Sequence, residues 1–337
     1  MRFGFLLFAR DIDAVGPNAR FGEAQGFDLV GMGDAPSLLH DPYLSLAVAA
    51  SQTSRIRLGP TVTNPESRHP LVLANLAATL ERLAPGRSFL GIGTGNAAVR
   101  SLGTQPASLE ELARTVEIVR TLLAGEVVEV DGAELALRFG SPRPVPILMA
   151  GSGRRSLRLA GRLADVAFIA VGASPPAVAR ALEWVREGAR SAGRDPATVE
   201  CWGYIDAAIA QERADALQQV TVAAVARANI IFRGPAAERL SSPLREKVAQ
   251  LIREYDYTEH LKPGRSANYR LAERLGIADF LIEEFAIAGT AEDCRRRIER
   301  LRPVGLQGIS FNLSTASDLQ DSLRLLGENV LPEFATA

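Results

Sequence analysis

The chain has 337 residues, 47% hydrophobic and 23% charged, with 38 Lys and Arg against 39 Asp and Glu for a formal net charge of −1. So even a balance leaves no basic field to gather nucleic acid or an anionic membrane surface, and no apolar run approaches the roughly 18 residues needed to span a bilayer. Cys201 and Cys294 stand in neither metal-ligand nor redox spacing, which argues against a zinc site or disulfide framework and for a reducing, cytoplasmic setting.

In chain order, residues 3–9 form a short, almost continuous apolar run that soon meets Arg10, Asp11 and Asp13. That is the pattern of a first strand covered on both faces of a parallel sheet, and it lacks the cleavage signal of a secretory leader. A polar helix is predicted over about 11–26. A second strand at 27–34 ends on the carboxylate of Asp34, and a helix enters at Asp41-Pro42, with proline in its first turn. The third strand, 55–58, runs into Leu-Gly-Pro-Thr-Val-Thr-Asn-Pro-Glu-Ser-Arg-His-Pro at 58–70. Three prolines there fix φ and remove donors, so the segment reads as a rigid, irregular wall. A helix starts at His69, which reads at least as readily as a structural cap or packing group as it does as a functional residue, and Pro85-Gly86 ends it.

The fourth strand, 88–96, dissolves into Gly93-Thr94-Gly95-Asn96, and Ser108 with Glu111 opens a helix over 108–123 as a capping box. Residues 126–138 alternate around Asp131-Gly132, a strong hairpin signal. A fifth strand, 145–150, leads through Gly151-Ser152-Gly153 into a helix at Arg154. The sixth strand is 165–172 and the seventh 199–210. Residues 212–284 are helical and charged, with no strand. A helix at 290–301, an eighth strand at 308–313 and a helix at 319–334 close the chain. Eight strands alternating with helices predict an α/β (β/α)8 barrel, a single domain over 1–337 with a helical insertion at about 212–284 between strands seven and eight.

Such barrels carry their chemistry at the C-terminal ends of the strands. That rim collects Asp34, Thr61, Val62, Asn64, Thr94, Gly95, Asn96 and Gly151 to Gly153, with Gly172-Ala173-Ser174, Asp206 and Asn312 to Ser314 beyond. It is rich in hydrogen-bonding groups and poor in charge, with no nucleophile, base and acid set and no metal cluster. A rim of this kind suits a large, flat cofactor that brings its own chemistry. Gly151-Ser152-Gly153 before a helix is a natural phosphate site, with Arg154 or Arg155 adding charge. Gly93 to Ala98 fits a dinucleotide fingerprint in form only, because the acidic residue expected about 20 positions later is replaced by a helix.

The pieces at 59–70, 85–95, 27–34 and 285–293 together resemble the luciferase-like flavin and deazaflavin oxidoreductases, above all the methylenetetrahydromethanopterin reductase branch. The resemblance implies a usually dimeric barrel that binds FMN or the 8-hydroxy-5-deazaflavin coenzyme F-420, with a non-prolyl cis peptide at Thr61–Val62 behind the ring. It assigns cofactor contacts to Asp34, Thr61, Val62, Asn64, Thr94, Gly95 and Asn96, the phosphate to Gly151, Ser152, Gly153 and Arg154, and the catalytic placing of the ring to Asp34 and Asn96. Two positions depart from the pattern. Sugar-phosphate dehydrogenases of the family carry His and Glu where this chain has Ala35 and Asn96, so that reaction is not expected, and the reductase branch has an acid at the second place. The leading expectation is hydride transfer between F-420 and a small organic substrate. The alternatives are an FMN-dependent monooxygenase fed by a partner flavin reductase and a flavin-binding protein without turnover.

Overall fold

The computed structural model describes residues 1–95, 97–259, 262 and 264–334. Their contacts fall into two compact units, one of residues 3–169 and 181–202, the other of residues 1–2, 170–180 and everything from Gly203 onward.

The first unit contains β1 (Arg2–Leu7), α1 (Ile12–Ala24), β2 (Leu29–Met32), α2 (Pro42–Gln52), β3 (Arg57–Pro60), α3 (Pro70–Leu83), β4 (Leu90–Ile92), α4 (Ala97–Ser101) and α5 (Leu109–Leu123). It continues with the strands β5 (Val128–Val130) and β6 (Ala133–Leu135), then β7 (Ile147–Gly151), α6 (Arg154–Leu163), β8 (Val166–Ile169) and most of α7 (Pro175–Ser191). Parallel pairing sets Phe5 beside Val30, Val30 beside Leu58, Gly91 beside Leu148 and Ala150 beside Phe168. Bridges from Leu58 to Ser88 and from Thr63 to Ile92 join β3 to β4. The order is therefore β1-β2-β3-β4-β7-β8, with all six C-terminal ends on one edge. Phe3, Phe5, Leu29, Val30, Ile147, Leu148 and Phe168 are all buried, as strands covered on both faces require.

Local chemistry starts and stops these elements. Asp41 Oδ1 accepts from the Tyr43 and Leu44 N–H groups, with Pro42 at the first helical position of α2. His69 Nδ1 accepts from Leu71 N–H, so this histidine is a structural cap. Ser108 Oγ accepts from Glu111 N–H. In the β5–β6 hairpin Asp131 and Gly132 have φ of +51° and +82°, the pair of positive values that a type I′ turn demands. The turn into β3 is held from α1, where the Glu23 carboxylate accepts from the N–H groups of Ser54, Arg55 and Ile56. The short helix α4, just after the glycine-rich stretch that follows β4, was not expected from the sequence.

The second unit holds most of β9 (Glu200–Ile209), then α8 (Arg213–Ile231), α9 (Ser242–Glu254), α10 (Ala267–Leu275) and α11 (Ala278–Phe285), so the expected insertion is helical. It ends with β10 (Ala286–Gly289), α12 (Ala291–Leu301), β11 (Gly308–Asn312) and α13 (Leu319–Asn329). Its core packs Phe232 against Phe285, ring centroids 5.3 Å apart, with Leu271, Leu281 and Val248 around them. β10 is an additional strand, beyond the eight expected, that the sequence did not predict. Ala-Ile-Ala-Gly has little strand propensity, but it is wholly buried and runs parallel to β9 from Ala286 beside Asp206 to Gly289 beside Ile209. Tertiary pairing makes this strand. No helix among the described residues is long and apolar enough to cross a membrane.

Candidate functional site

The segment that leaves β3 is stitched on both sides. Thr61 N–H donates to Met32 O of β2 at 2.7 Å, Thr63 N–H donates to Gly91 O of β4 at 2.9 Å, and Gly93 N–H returns the bond to Thr63 O at 2.9 Å. Between these anchors lies the Thr61–Val62 peptide, which is cis, at the bond the family resemblance named. Neighbouring glycines make room for it. A Cβ on Gly31 would fall 2.2 Å from Thr61 Oγ1, one on Gly91 would fall 2.0 Å from Pro60 O, and one on Gly93 would come to 3.0 Å from Val62 Cγ2.

Asp34 lies just past β2, with its side chain fully buried. Its Oδ2 accepts from Thr63 Oγ1 at 2.7 Å and from Arg68 Nη1 at 2.6 Å. The other arm of the guanidinium, Nη2, donates to Asp41 Oδ2 at 2.8 Å, and the Tyr43 ring lies 5.3 Å from the guanidinium carbon. Burial works against the charge on Arg68, but Asp34 and Asp41 outweigh it and hold its pKa above the usual arginine value. Burial likewise pushes the Tyr43 phenol up.

Four polar side-chain atoms in and beside this wall are buried and have no hydrogen-bond partner: Asp34 Oδ1, Tyr43 Oη, Thr61 Oγ1 and Asn64 Nδ2. The orientation of the Asn64 amide is fixed, because its Oδ1 accepts from the N–H groups of Glu66 and Ser67 at 3.0 and 2.9 Å. The site thus offers an acceptor, two hydroxyls and an amide donor with no hydrogen-bond partner in the protein, which is costly unless a ligand supplies one.

Gly95 closes the wall. Its φ of +81° favours glycine, and a Cβ there would lie 2.6 Å from Val99 and 3.2 Å from Asn64 Cβ. Thr94 O accepts from Ala107 N–H at 2.9 Å. Asn96, which the sequence places beside them, lies outside the described residues.

Gly151 ends β7, the neighbour of β4, and a Cβ on Gly93 would lie 3.8 Å from Ala150. Ser152 and Gly153 lead into α6, where Ser156 Oγ accepts from Gly153 N–H at 3.2 Å. The next first-turn amides have no acceptor within the helix, as at any helix start. Arg154, expected to add charge at this turn, instead makes an exposed ion pair with Glu187 at 3.3 Å. Its helix position suits an anion, but its side chain has another partner.

Sequence reasoning missed Arg68 and Tyr43. Arg68 lies inside the singled-out stretch, but its acidic partners are 34 and 27 positions away, and only the fold brings them in. It also left Asp206 among the open rim groups. In the second unit this carboxylate is 1% exposed and closed off: Arg227 Nε and Nη2 donate to its two oxygens at 3.0 and 2.9 Å, and Asn312 Nδ2 adds a third bond at 2.7 Å. Nearby on the chain, the buried hydroxyls of Ser310, Ser314 and Thr315 have no partner.

Residues 1–308 match the family described as luciferase-like monooxygenase. A 5,10-methylenetetrahydromethanopterin reductase from Methanolobus tindarius is 29% identical over 328 residues, covering 93% of this chain and 94% of that relative. An F-420-dependent hydroxymycolic acid dehydrogenase from Mycobacterium tuberculosis is 35% identical over 223 residues, covering 62% of this chain and 61% of the relative. Among solved structures, the coenzyme F-420-dependent tetrahydromethanopterin reductase from Methanopyrus kandleri superposes with a TM-score of 0.82 at 23% identity, covering 99% of both chains. That likeness establishes the fold as a (β/α)8 barrel. The chain therefore belongs to the luciferase-like monooxygenase family and is an oxidoreductase.

Proposed function

We propose that this oxidoreductase binds the deazaflavin coenzyme F-420 and exchanges hydride between it and a small organic substrate. The observation that carries the reading is the set of unmet buried atoms, Asp34 Oδ1, Tyr43 Oη, Thr61 Oγ1 and Asn64 Nδ2. A pyrimidinedione ring, whose edge alternates N–H and C=O, has the complementary groups. Glycines at 31, 91, 93 and 95 let Pro60, Thr61, Val62 and Asn64 pack close against the neighbouring strands, which fixes the wall that a flat ring would lie against. The relatives' names support the deazaflavin over FMN: the Mycobacterium tuberculosis dehydrogenase and the Methanopyrus kandleri reductase are both described by their dependence on F-420.

In this reading Asp34, Thr61, Val62, Asn64, Thr94, Gly95 and Asn96 hold the ring, and the first turn of α6 with Gly151, Ser152, Gly153 and Arg154 takes the phosphate. Bound there, the coenzyme supplies the hydride chemistry. The protein's own part is to bind and orient: Asp34 and Asn96 fix the ring edge, and Val62 backs the ring. The whole chain acts as one barrel domain, and the working form is a homodimer.

Fluorescence titration of the purified protein with F-420 and with FMN tests this directly. The expected result is saturable F-420 binding, with FMN weak or absent. Saturable FMN binding without F-420 binding would overturn the proposal in favour of a monooxygenase supplied by a flavin reductase.

A further inference from the structure

We infer that Arg68 is the positioning residue of this site, a two-armed clamp that turns one oxygen of Asp34, and only that one, toward the bound ring. The inference rests on the proposed cofactor reading and assigns the ring a partner of defined chemistry.

The argument begins with how Asp34 is spent. A carboxylate has two oxygens, and here they have opposite fates. Oδ2 accepts from Arg68 at 2.6 Å and from Thr63 at 2.7 Å, while Oδ1, equally buried, accepts from nothing. The Thr63 hydroxyl donates its one hydrogen bond to Oδ2. Rotation of the carboxylate would break two short bonds, one of them charge-assisted, so Oδ1 is held in place.

Arg68 is itself fixed at three points. Nη2 is tied to Asp41 at 2.8 Å, the guanidinium stacks over Tyr43, and the backbone on its C-terminal side is set by the cap at His69 and by Pro70. Asp41 divides its oxygens the same way, with Oδ1 capping α2 and Oδ2 holding the arginine. The N-terminus of α2 is thereby linked through one planar group to the end of β2. A guanidinium joins two carboxylates with fixed spacing and direction, and an ammonium on a flexible stem does not. The consequence for the ligand is chemical. Oδ1 of the paired carboxylate can only accept, so the atom that meets it is an N–H or O–H donor, and a ring edge presenting a carbonyl there is rejected.

The experiment measures dissociation constants for F-420 and FMN by fluorescence, with thermal melts, on the wild type and on Arg68→Lys, Arg68→Ala and Asp41→Asn. Asparagine caps a helix as well as aspartate does, so Asp41→Asn loosens the far arm of the clamp and leaves α2 capped. Arg68→Lys and Arg68→Ala are expected to weaken whichever ligand the wild type binds by at least about tenfold, the loss of one charge-assisted hydrogen bond, and Asp41→Asn by less. Millimolar guanidinium ion, far below denaturing levels, restores binding to Arg68→Ala, and sodium chloride at equal ionic strength does not. A merely structural arginine would lose affinity only in step with its thermal melt, whereas the clamp loses affinity, and regains it with guanidinium, at temperatures where the variant is fully folded.

Variants that are folded and bind as tightly as the wild type would refute the clamp and leave the cofactor reading standing. A wild type that binds neither ligand would refute the cofactor reading, and the clamp with it. Should Arg68→Ala fail to fold, the comparison of Arg68→Lys with Asp41→Asn decides: equal, undiminished binding overturns the inference.

Discussion

Asp34 and Asp206 are both buried carboxylates at or near the end of a parallel strand, and both are paired with an arginine from a distant part of the sequence. They differ in what is left over. Asp206 takes a two-point grip from Arg227 and a third bond from Asn312, so both of its oxygens are satisfied, and the guanidinium packs 4.7 Å from the Tyr204 ring. Burial opposes the charge on Arg227, and Asp206 more than offsets it, holding the pKa well above the ordinary arginine value. Asp34 takes one arm of its arginine and keeps an oxygen free. A closed pair of this kind joins pieces of a fold, while an open one has unspent hydrogen-bonding capacity. Burial or charge alone would not have separated them; the count of satisfied atoms does.

The contrast can be broken by mutation. The largest effect is expected at the closed pair. Arg227→Met strands a buried carboxylate and should lower stability by about 3–5 kcal/mol in urea melts, and pairing it with Asp206→Leu should recover part of the loss. A small effect of the single change would mean that Asp206 is less enclosed than described. Next comes the wall of the open site. Gly91→Ala puts a methyl 2.0 Å from Pro60 O, a backbone atom that cannot swing aside, so about 1–3 kcal/mol should be lost and ligand binding with it.

Asp34→Ala should be milder in stability, about 1–2 kcal/mol, because Arg68 keeps Asp41 and some access to water. Ligand binding, by contrast, should fall sharply. A destabilisation as large as that of Arg227→Met would erase the distinction between the two carboxylates.

The smallest effect concerns Glu23, at the other end of β3. Burial pushes its carboxyl up, but the N–H groups of Ile56, Arg55 and Ser54 outweigh that and hold it below the ordinary glutamate value. A depressed folded-state pKa adds stability that is present above the unfolded value and lost as pH falls through the folded one. Melts of the wild type should therefore weaken below about pH 4.5, and Glu23→Gln should flatten that acid slope. Equal slopes in the two proteins would remove Glu23 from the account of how β3 is anchored.

Much of this molecule could be read without coordinates. Apolar runs bounded by glycine and proline marked the strands. Asp41-Pro42, Ser108 and Asp131-Gly132 marked two helix starts and a hairpin, because caps and tight turns are decided by neighbours within a few residues. The chemistry at 58–70 pointed to a rigid wall, and likeness to a known family, not propensity, located the cis bond at Thr61–Val62. β10 was not visible, since Ala286 to Gly289 become a strand only by pairing with β9. Nor were the partners of Asp34 and Asp206, 34 and 21 positions away. Local sequence determined where strands, helices and turns begin, because those energies are short-ranged. Which carboxylate oxygen is left free, and which glycine must stay bare, was decided only by tertiary packing, because hydrogen bonds and steric contacts depend on atoms that the chain brings together after long separations.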